Sequence, residues 1–411
     1  MHKVITFLGT NPRDARYHWH GSVYEGQVFA QALSQFWDFD SMLVLTTAGA
    51  EKNAWPVVEN MHDPRIRKIS IPDGNSTDQM WQIFDLVIEN IDVGDTVTFD
   101  ITHGFRSLPF LAFLFAAYLK TARQVTIKAV LYGAFEMPLP TGEAPVLDLT
   151  EFVAMLDWIT ATEQFVQTGD ARRLSGLLEE HAEGKESSKT AAKTLRDVSR
   201  AAFLCQPFSL MNTASQIETD LRKAAGDFSG TSRPFGVLSD TIIQNFSGFS
   251  QPDPKDDLKT LQIEYRLIEW YFEHDQLIQA AALAREWAID LVAHQLGLLL
   301  DFRHAERSTV ERALSGINMV GSKLTDPETG EKRLFTQADL NQYGAKIYTE
   351  WAKNDISLLK HIWGKLQNLR NRLSHAEHQQ KPMDLAKSLE QAQEIRADLA
   401  KAARRWGIIS S

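Results

Sequence analysis

The stretch FDITHGFRSLPFLAFLF, Phe99 to Phe115, changes character halfway along. It opens on strand-favouring residues, passes through Thr102-His103-Gly104-Phe105-Arg106-Ser107, and continues as a long apolar run. A buried strand feeding a buried helix is the repeating step of a parallel sheet covered on both faces. Packing alone asks for no histidine, glycine or arginine at that junction. In an open parallel sheet, however, ligands bind beyond the carboxyl ends of the strands, near the point where strand order reverses. Ser107 suits an N-cap and Pro109 the first turn of the helix, whose free N–H groups and dipole form an anion site. Gly104 lets the backbone approach closely, while Arg106 and His103 supply donors to a phosphate or sugar. The plainer alternative is a turn that needs only a glycine and a cap, with Arg106 solvated.

Working outward, strand patterns recur at 3–10, 41–47, 67–72, 95–102 and 124–135, with amphipathic helices at 25–37, 77–91 and 108–121. The first ~140 residues therefore read as an α/β Rossmann-like domain. A second strand end, FLGTN, brings Gly9, Thr10 and Asn11 to the same edge. It has one glycine where the dinucleotide fingerprint needs three, which argues against a nicotinamide or flavin enzyme. Thr46, Thr47, Tyr132 and Gly133 end two further strands and are weaker candidates for the same pocket.

From about 150 onward the strand pattern stops and helices take over, at 150–225, 260–305, 356–378 and about 383–406. A Gly-, Ser- and Pro-rich stretch at 226–258 reads as a connection, and 322–333 as a polar loop. The fold class is thus an α/β Rossmann-like N-terminal domain, then an all-α middle and C-terminal region. The boundaries are 1–140, 141–258 and 259–411.

The chain of 411 residues has 44% hydrophobic and 23% charged residues and a net charge of −10, which argues against nonspecific coating of nucleic acid. Cys205 is the only cysteine, so disulfides and cysteine zinc sites are excluded and a reducing cytoplasm is expected. MHKVITFLGTN reads as a strand rather than a signal peptide, and the longest apolar run, Leu108 to Leu119, is too short to span a bilayer. Among the 12 histidines, HWH (18–20) and HAEH (375–378) make no complete ligand set, so no metal site is expected and His18 and His20 read as surface or pocket-rim residues. Glu286 reads as a helix-pairing residue beside Arg285, with a secondary reading in which it shapes a catalytic site.

Near the C-terminus, LRNRLSH places Arg370, Asn371 and His375 in a helical pattern, with Asn371 and His375 one turn apart on one face. A histidine can move a proton at a ribose 2′-hydroxyl, and an arginine can hold the phosphodiester and its developing charge. These parts suffice for metal-independent RNA cleavage. The plainer alternative is a helix face on which Arg372 and His375 pair with carboxylates such as Glu377.

DITHGFRSLPFL after a first strand ending FLGTN, with VLYGAFE at 130–136, resembles the CARF domains of CRISPR-associated proteins. RNRLSH resembles the R-N-x3-H motif of HEPN ribonucleases, and the order of the two resembles the type III CRISPR ancillary ribonucleases. The likeness covers both ends of the chain, and the middle helices by position alone. It implies a homodimer or higher homo-oligomer that binds cyclic oligoadenylate as an allosteric activator and, once activated, cuts single-stranded RNA at a composite site. A ring with an even number of units can share a two-fold axis, and of the even rings the tetra-adenylate is the favoured expectation, with the hexa-adenylate the other. No cofactor or membrane is implied. The implied catalytic residues are Arg370, Asn371 and His375; the implied effector residues are Thr10, Asn11, Thr102, His103, Gly104 and Arg106. Two other functions stay open: a non-catalytic sensor that signals to a partner, and a sensor that also degrades its own activator.

Overall fold

The computed structural model describes residues 1–103, 108–182, 184–228, 233–251, 253, 255–298, 304–325, 332–374 and 384–410. Gly104, Arg106, Ser107 and His375 lie outside them, as does Glu377. The described chain falls into two compact units, one ending at Thr160 and containing the sheet, the other holding Ala161–Phe228 and the helices from Phe235 onward.

In the first unit eight strands among the described residues form one sheet: β1 (His2–Phe7), β2 (Ala15–Trp19), β3 (Ser22–Gly26), β4 (Ser41–Thr46), β5 (Ile66–Ser70), β6 (Thr96–Asp100), β7 (Thr126–Gly133) and β8 (Ala144–Asp148). Their order is β3-β2-β8-β7-β6-β1-β4-β5. Strands β7, β6, β1, β4 and β5 run parallel. Both faces of β1, β4 and β6 are buried, so neighbouring residues point to different cores. Val4, Met42 and Val44 pack with Phe29 and Leu33 of α1 (Phe29–Phe36) and with Val58 of α3 (Trp55–Glu59). Ile5, Leu43 and Leu45 face the other way, toward Ile83 and Val87 of α4 (Thr77–Glu89) and Phe115 and Leu119 of α5 (Leu108–Ala122). A fully buried side chain of this size contributes about 1.5–3 kcal/mol.

Strands β2, β3 and β8 depart from the sequence reading, which assigns 25–37 to a helix and sees no strand at 15–26 or 144–148. Strands β2 and β3 form an antiparallel hairpin turned by His20 (φ 46°) and Gly21 (φ 84°), the two left-handed residues that a tight hairpin turn requires. The hairpin delays the helix: α1 begins at Phe29.

In the second unit α8 (Glu186–Phe203) and α9 (Pro207–Asp227) are followed by α10 (Arg233–Phe246), α11 (Asp257–Glu273), α12 (Leu277–Gln295), α13 (His304–Met319), α15 (Lys353–Ser374) and α16 (Leu385–Arg405). Trp287, Trp363 and Tyr271 are fully buried there. The Trp287 indole N–H donates to the Leu261 carbonyl at 3.0 Å, so the large ring costs no unpaired polar group. Two expectations need correction. The stretch read as a connection contains α10, which Pro234 can enter at the first turn and which buries Ile242, Ile243 and Phe246. The stretch read as a polar loop contains a short hairpin, Lys323–Thr325 with Lys332–Leu334. No helix among the described residues is long and apolar enough to cross a membrane.

Candidate functional site

Strand order reverses at β1: β4 and β5 follow on one side of it, β6 and β7 on the other. The ends of β1 and β6 therefore flank the crevice where such sheets take ligands. The backbone after β1 leads to Gly9, Thr10 and Asn11, and that after β6 to Thr102 and His103. A methyl group on Gly9 would lie 3.4 Å from His103 Cβ, so the two strand ends are in contact distance. Thr10 and Asn11 are exposed, with Thr10 Cγ2 3.1 Å from where a side chain on Gly49 would begin.

Beneath this edge lies Asp100, fully buried at the end of β6. Its carboxyl group accepts the Thr6 hydroxyl of β1 and, at 2.7 Å, the Thr102 backbone N–H. Burial pushes the Asp100 carboxyl up to about 6, with the bonds from Thr102 and Thr6 pulling the other way. The Thr102 hydroxyl oxygen accepts the Gly133 N–H at 2.7 Å, tying the end of β6 to that of β7. Gly133 cannot carry a side chain: a Cβ there would sit 2.9 Å from Phe29 and 3.0 Å from Tyr17.

His103 Nε2 accepts the backbone N–H of Phe29 at 3.3 Å, one of the N–H groups that the first turn of α1 leaves without a helical partner. Its ring lies 5.2 Å from that of Phe135. Burial lowers the imidazole to about 4, so it is neutral, and with Nε2 accepting, the proton sits on Nδ1. What His103 offers an anion is one N–H dipole rather than a charge. Thr47 serves the fold, capping the short helix Ala48–Asn53 by accepting the Ala50 N–H at 3.3 Å. Asp100 escapes the sequence reading, although a lone acid at the end of an otherwise apolar strand was a signal for it.

The second unit holds a cavity of about 520 Å³ into which Arg370, on the last turn of α15, opens. Arg370 Nη1 also donates to Asn371 Oδ1 at 3.2 Å. The wall carries Arg285, Glu286 and Asp290 of α12, Glu264 of α11 and Arg307 of α13. Arg307 pairs with both Glu286 and Asp290. Arg285 pairs with Glu286 at 2.6 Å and with Glu311, and lies over the Trp363 ring at 5.4 Å. Glu286 is thus shared between two arginines, more than the single partner read from its sequence neighbour. Glu264 is 2% exposed, and its Oε2 meets no hydrogen-bond partner among the described residues. Burial, then the charge of Asp290, pushes its carboxyl well above the usual range, Glu286 adding to the shift and Arg307 opposing it. Burial also pushes Asp290 up to about 6, against the pull of Arg307. Among the described residues no group of three or more His, Cys, Asp or Glu side chains is placed to hold a metal ion.

A polar crevice at the switch point of an α/β sheet, followed by helices around an arginine-lined cavity, defines a two-part chain with one candidate site in each part. Residues 154–250 match the family model for the second domain of the CRISPR-associated protein MJ1674. The MJ1674 protein of Methanocaldococcus jannaschii is 29% identical over 157 residues, which cover 35% of this chain and 24% of that protein. The chain spans about a quarter of the length of that curated relative. Among solved structures, Enterococcus italicus Csm6 bound to cyclic hexa-2′-fluoro-hexa-dAMP overlaps 99% of this chain and 94% of its own, at 10% identity and a TM-score of 0.46. The sequence likeness is to a CRISPR-associated protein, the kind that the two end motifs resemble, and it reaches the middle helices that those motifs leave uncovered.

Proposed function

We propose that the chain is a CRISPR-associated sensor and ribonuclease, in which cyclic oligoadenylate at the strand-end crevice activates cleavage of single-stranded RNA at Arg370, Asn371 and His375. The observation that supports it most is the approach of Gly9 to His103 at the β1/β6 switch point, where such sheets bind ligands. In functional terms, residues 1–140 sense, 141–258 connect and 259–411 cut. Thr10, Asn11, Thr102, His103, Gly104 and Arg106 contact the ring, in which a tetra-adenylate is favoured. Two copies of the chain each present half of the crevice and one Arg370–His375 pair, and the protein works in the cytoplasm.

Arg370 holds the phosphodiester and stabilises its developing charge, His375 moves the 2′-hydroxyl proton, and Asn371 orients the arginine through their mutual hydrogen bond. The activator acts by binding two states of the protein unequally. The test is cleavage of a labelled single-stranded RNA by purified protein, alone and with cyclic tri-, tetra- or hexa-adenylate. Cleavage that rises only with one ring supports the reading; indifference to all three ends it.

A further inference from the structure

The cavity beside Arg370 has a feature that phosphate chemistry does not use. Its mouth is formed by the turn between α8 and α9, where Cys205, Pro207 and Phe208 line it. Phe208 is 60% exposed, and Phe203 and Leu204 just before it are exposed as well. A single exposed aromatic is ordinary. Here the ring is fixed on the first turn of a 21-residue helix, at the edge of a cavity whose wall carries three guanidinium groups.

We infer that this cavity is a nucleotide subsite, in which Phe208 stacks a base of single-stranded RNA while Arg370 faces its phosphate and the ion pairs of Arg285 and Arg307 hold the wall. The inference rests on the ribonuclease reading and adds to it the residue that grips the base. About 520 Å³ lies within the range of small-ligand sites, roughly 300–1,000 Å³. An aromatic face beside cationic groups is how single strands are held without pairing, because every unstacked base presents a π-face.

The objection is charge, since Glu264, Glu286 and Asp290 share the wall. Burial answers much of it: Glu264 keeps its proton where an exposed glutamate would not. With Arg285 and Arg307 paired to Glu286, Asp290 and Glu311, Arg370 is left without a carboxylate partner among the described residues, as the cation that meets the phosphate. The buried Glu264 carboxyl, with no partner for Oε2 among the described residues, is also a polar group that a ligand or water in the cavity could satisfy.

The test uses the full chain in a His375→Ala background, so that RNA survives, with the three adenylate rings present. Binding of a fluorescent single-stranded oligoribonucleotide is measured by anisotropy with and without Phe208→Ala. Base stacking on an aromatic is lost on alanine substitution, so affinity should fall roughly tenfold. Phe208→Trp should restore it, and Phe203→Ala, outside the cavity lining, should leave it unchanged. An abasic ribose-phosphate oligomer should bind the parent weakly and should not sense Phe208→Ala at all. Parent binding that Phe208→Ala leaves intact overturns this subsite alone. A parent that binds no RNA overturns the subsite and the ribonuclease reading together.

Discussion

The two candidate sites handle charge in opposite ways. At the sheet edge, a buried carboxyl and a neutral imidazole are locked into the backbone: Asp100 holds Thr6 and Thr102, and His103 holds the first turn of α1. In the helical unit, carboxylates and guanidinium groups are concentrated around one cavity and paired mainly with one another. The first arrangement fixes shape, so that backbone donors meet a ligand with little reorganisation. The second stores charge near a group that can meet a reacting phosphodiester. The proposed sensor and the proposed cutting site ask for that difference.

The largest expected effect breaks the comparison at its reactive end. His375→Ala should lower RNA cleavage by about 10²–10⁴, the usual worth of a positioned proton-transfer group. Activator binding, followed by calorimetry, should be unchanged. Full cleavage by the variant would remove the catalytic assignment, whereas lost activator binding would mean that the two sites are not separable.

A smaller effect sharpens the sensor end through pH. Asp100 is raised from 3.8 to about 6 in the folded chain, so folding is favoured below pH 3.8 and that advantage is lost as pH climbs through 6. His103 is lowered from 6.5 to about 4, so its contribution is present above pH 6.5 and is lost as pH falls through 4. Each shift is worth about 3 kcal/mol, with opposite sign over nearly the same window. The first unit should therefore change little in stability between pH 6.5 and 4. Asp100→Asn removes one side of the balance, and stability should then drop by about 3 kcal/mol on acidification. Urea unfolding at several pH values measures it, and a variant as flat as the parent would show that the two groups do not titrate as their burial requires.

Legibility in the sequence follows the same divide. The central parallel strands are readable because they carry β-branched and apolar residues on both faces, as in VITF and MLVL. The β2–β3 hairpin is not, since its residues mix polar and aromatic types at a sheet edge, and the His20–Gly21 turn is its one clear mark. Thr102 and His103 could be singled out because a polar run between two buried elements has no packing purpose. The cavity wall could not: Glu264, Asp290, Arg307 and Arg370 come from four helices, and only tertiary packing brings them together. Glu286 was noticed for its neighbour Arg285, yet its second partner, Arg307, lies on another helix.

The smallest expected effect is none at all, and it bears on both regions. Cleavage at a ribose 2′-hydroxyl needs a group to take its proton, a group to protonate the leaving oxygen, and positive charge at the phosphate. On the proposed reading an imidazole and a guanidinium from each of two chains would supply all three, so cleavage in the presence of a chelator should proceed at an unchanged rate. Binding at the sheet edge should be equally indifferent, because it draws on backbone donors, neutral side chains and the Arg106 guanidinium rather than on a metal ion. Loss of cleavage in chelator, with recovery on adding magnesium or manganese, would transfer the decisive chemistry from Arg370 and His375 to the carboxylates of the cavity. Glu286 and Asp290 would then have to give up their arginine partners to bind the ion, and the helical unit would be charged for a different reason than the one argued above.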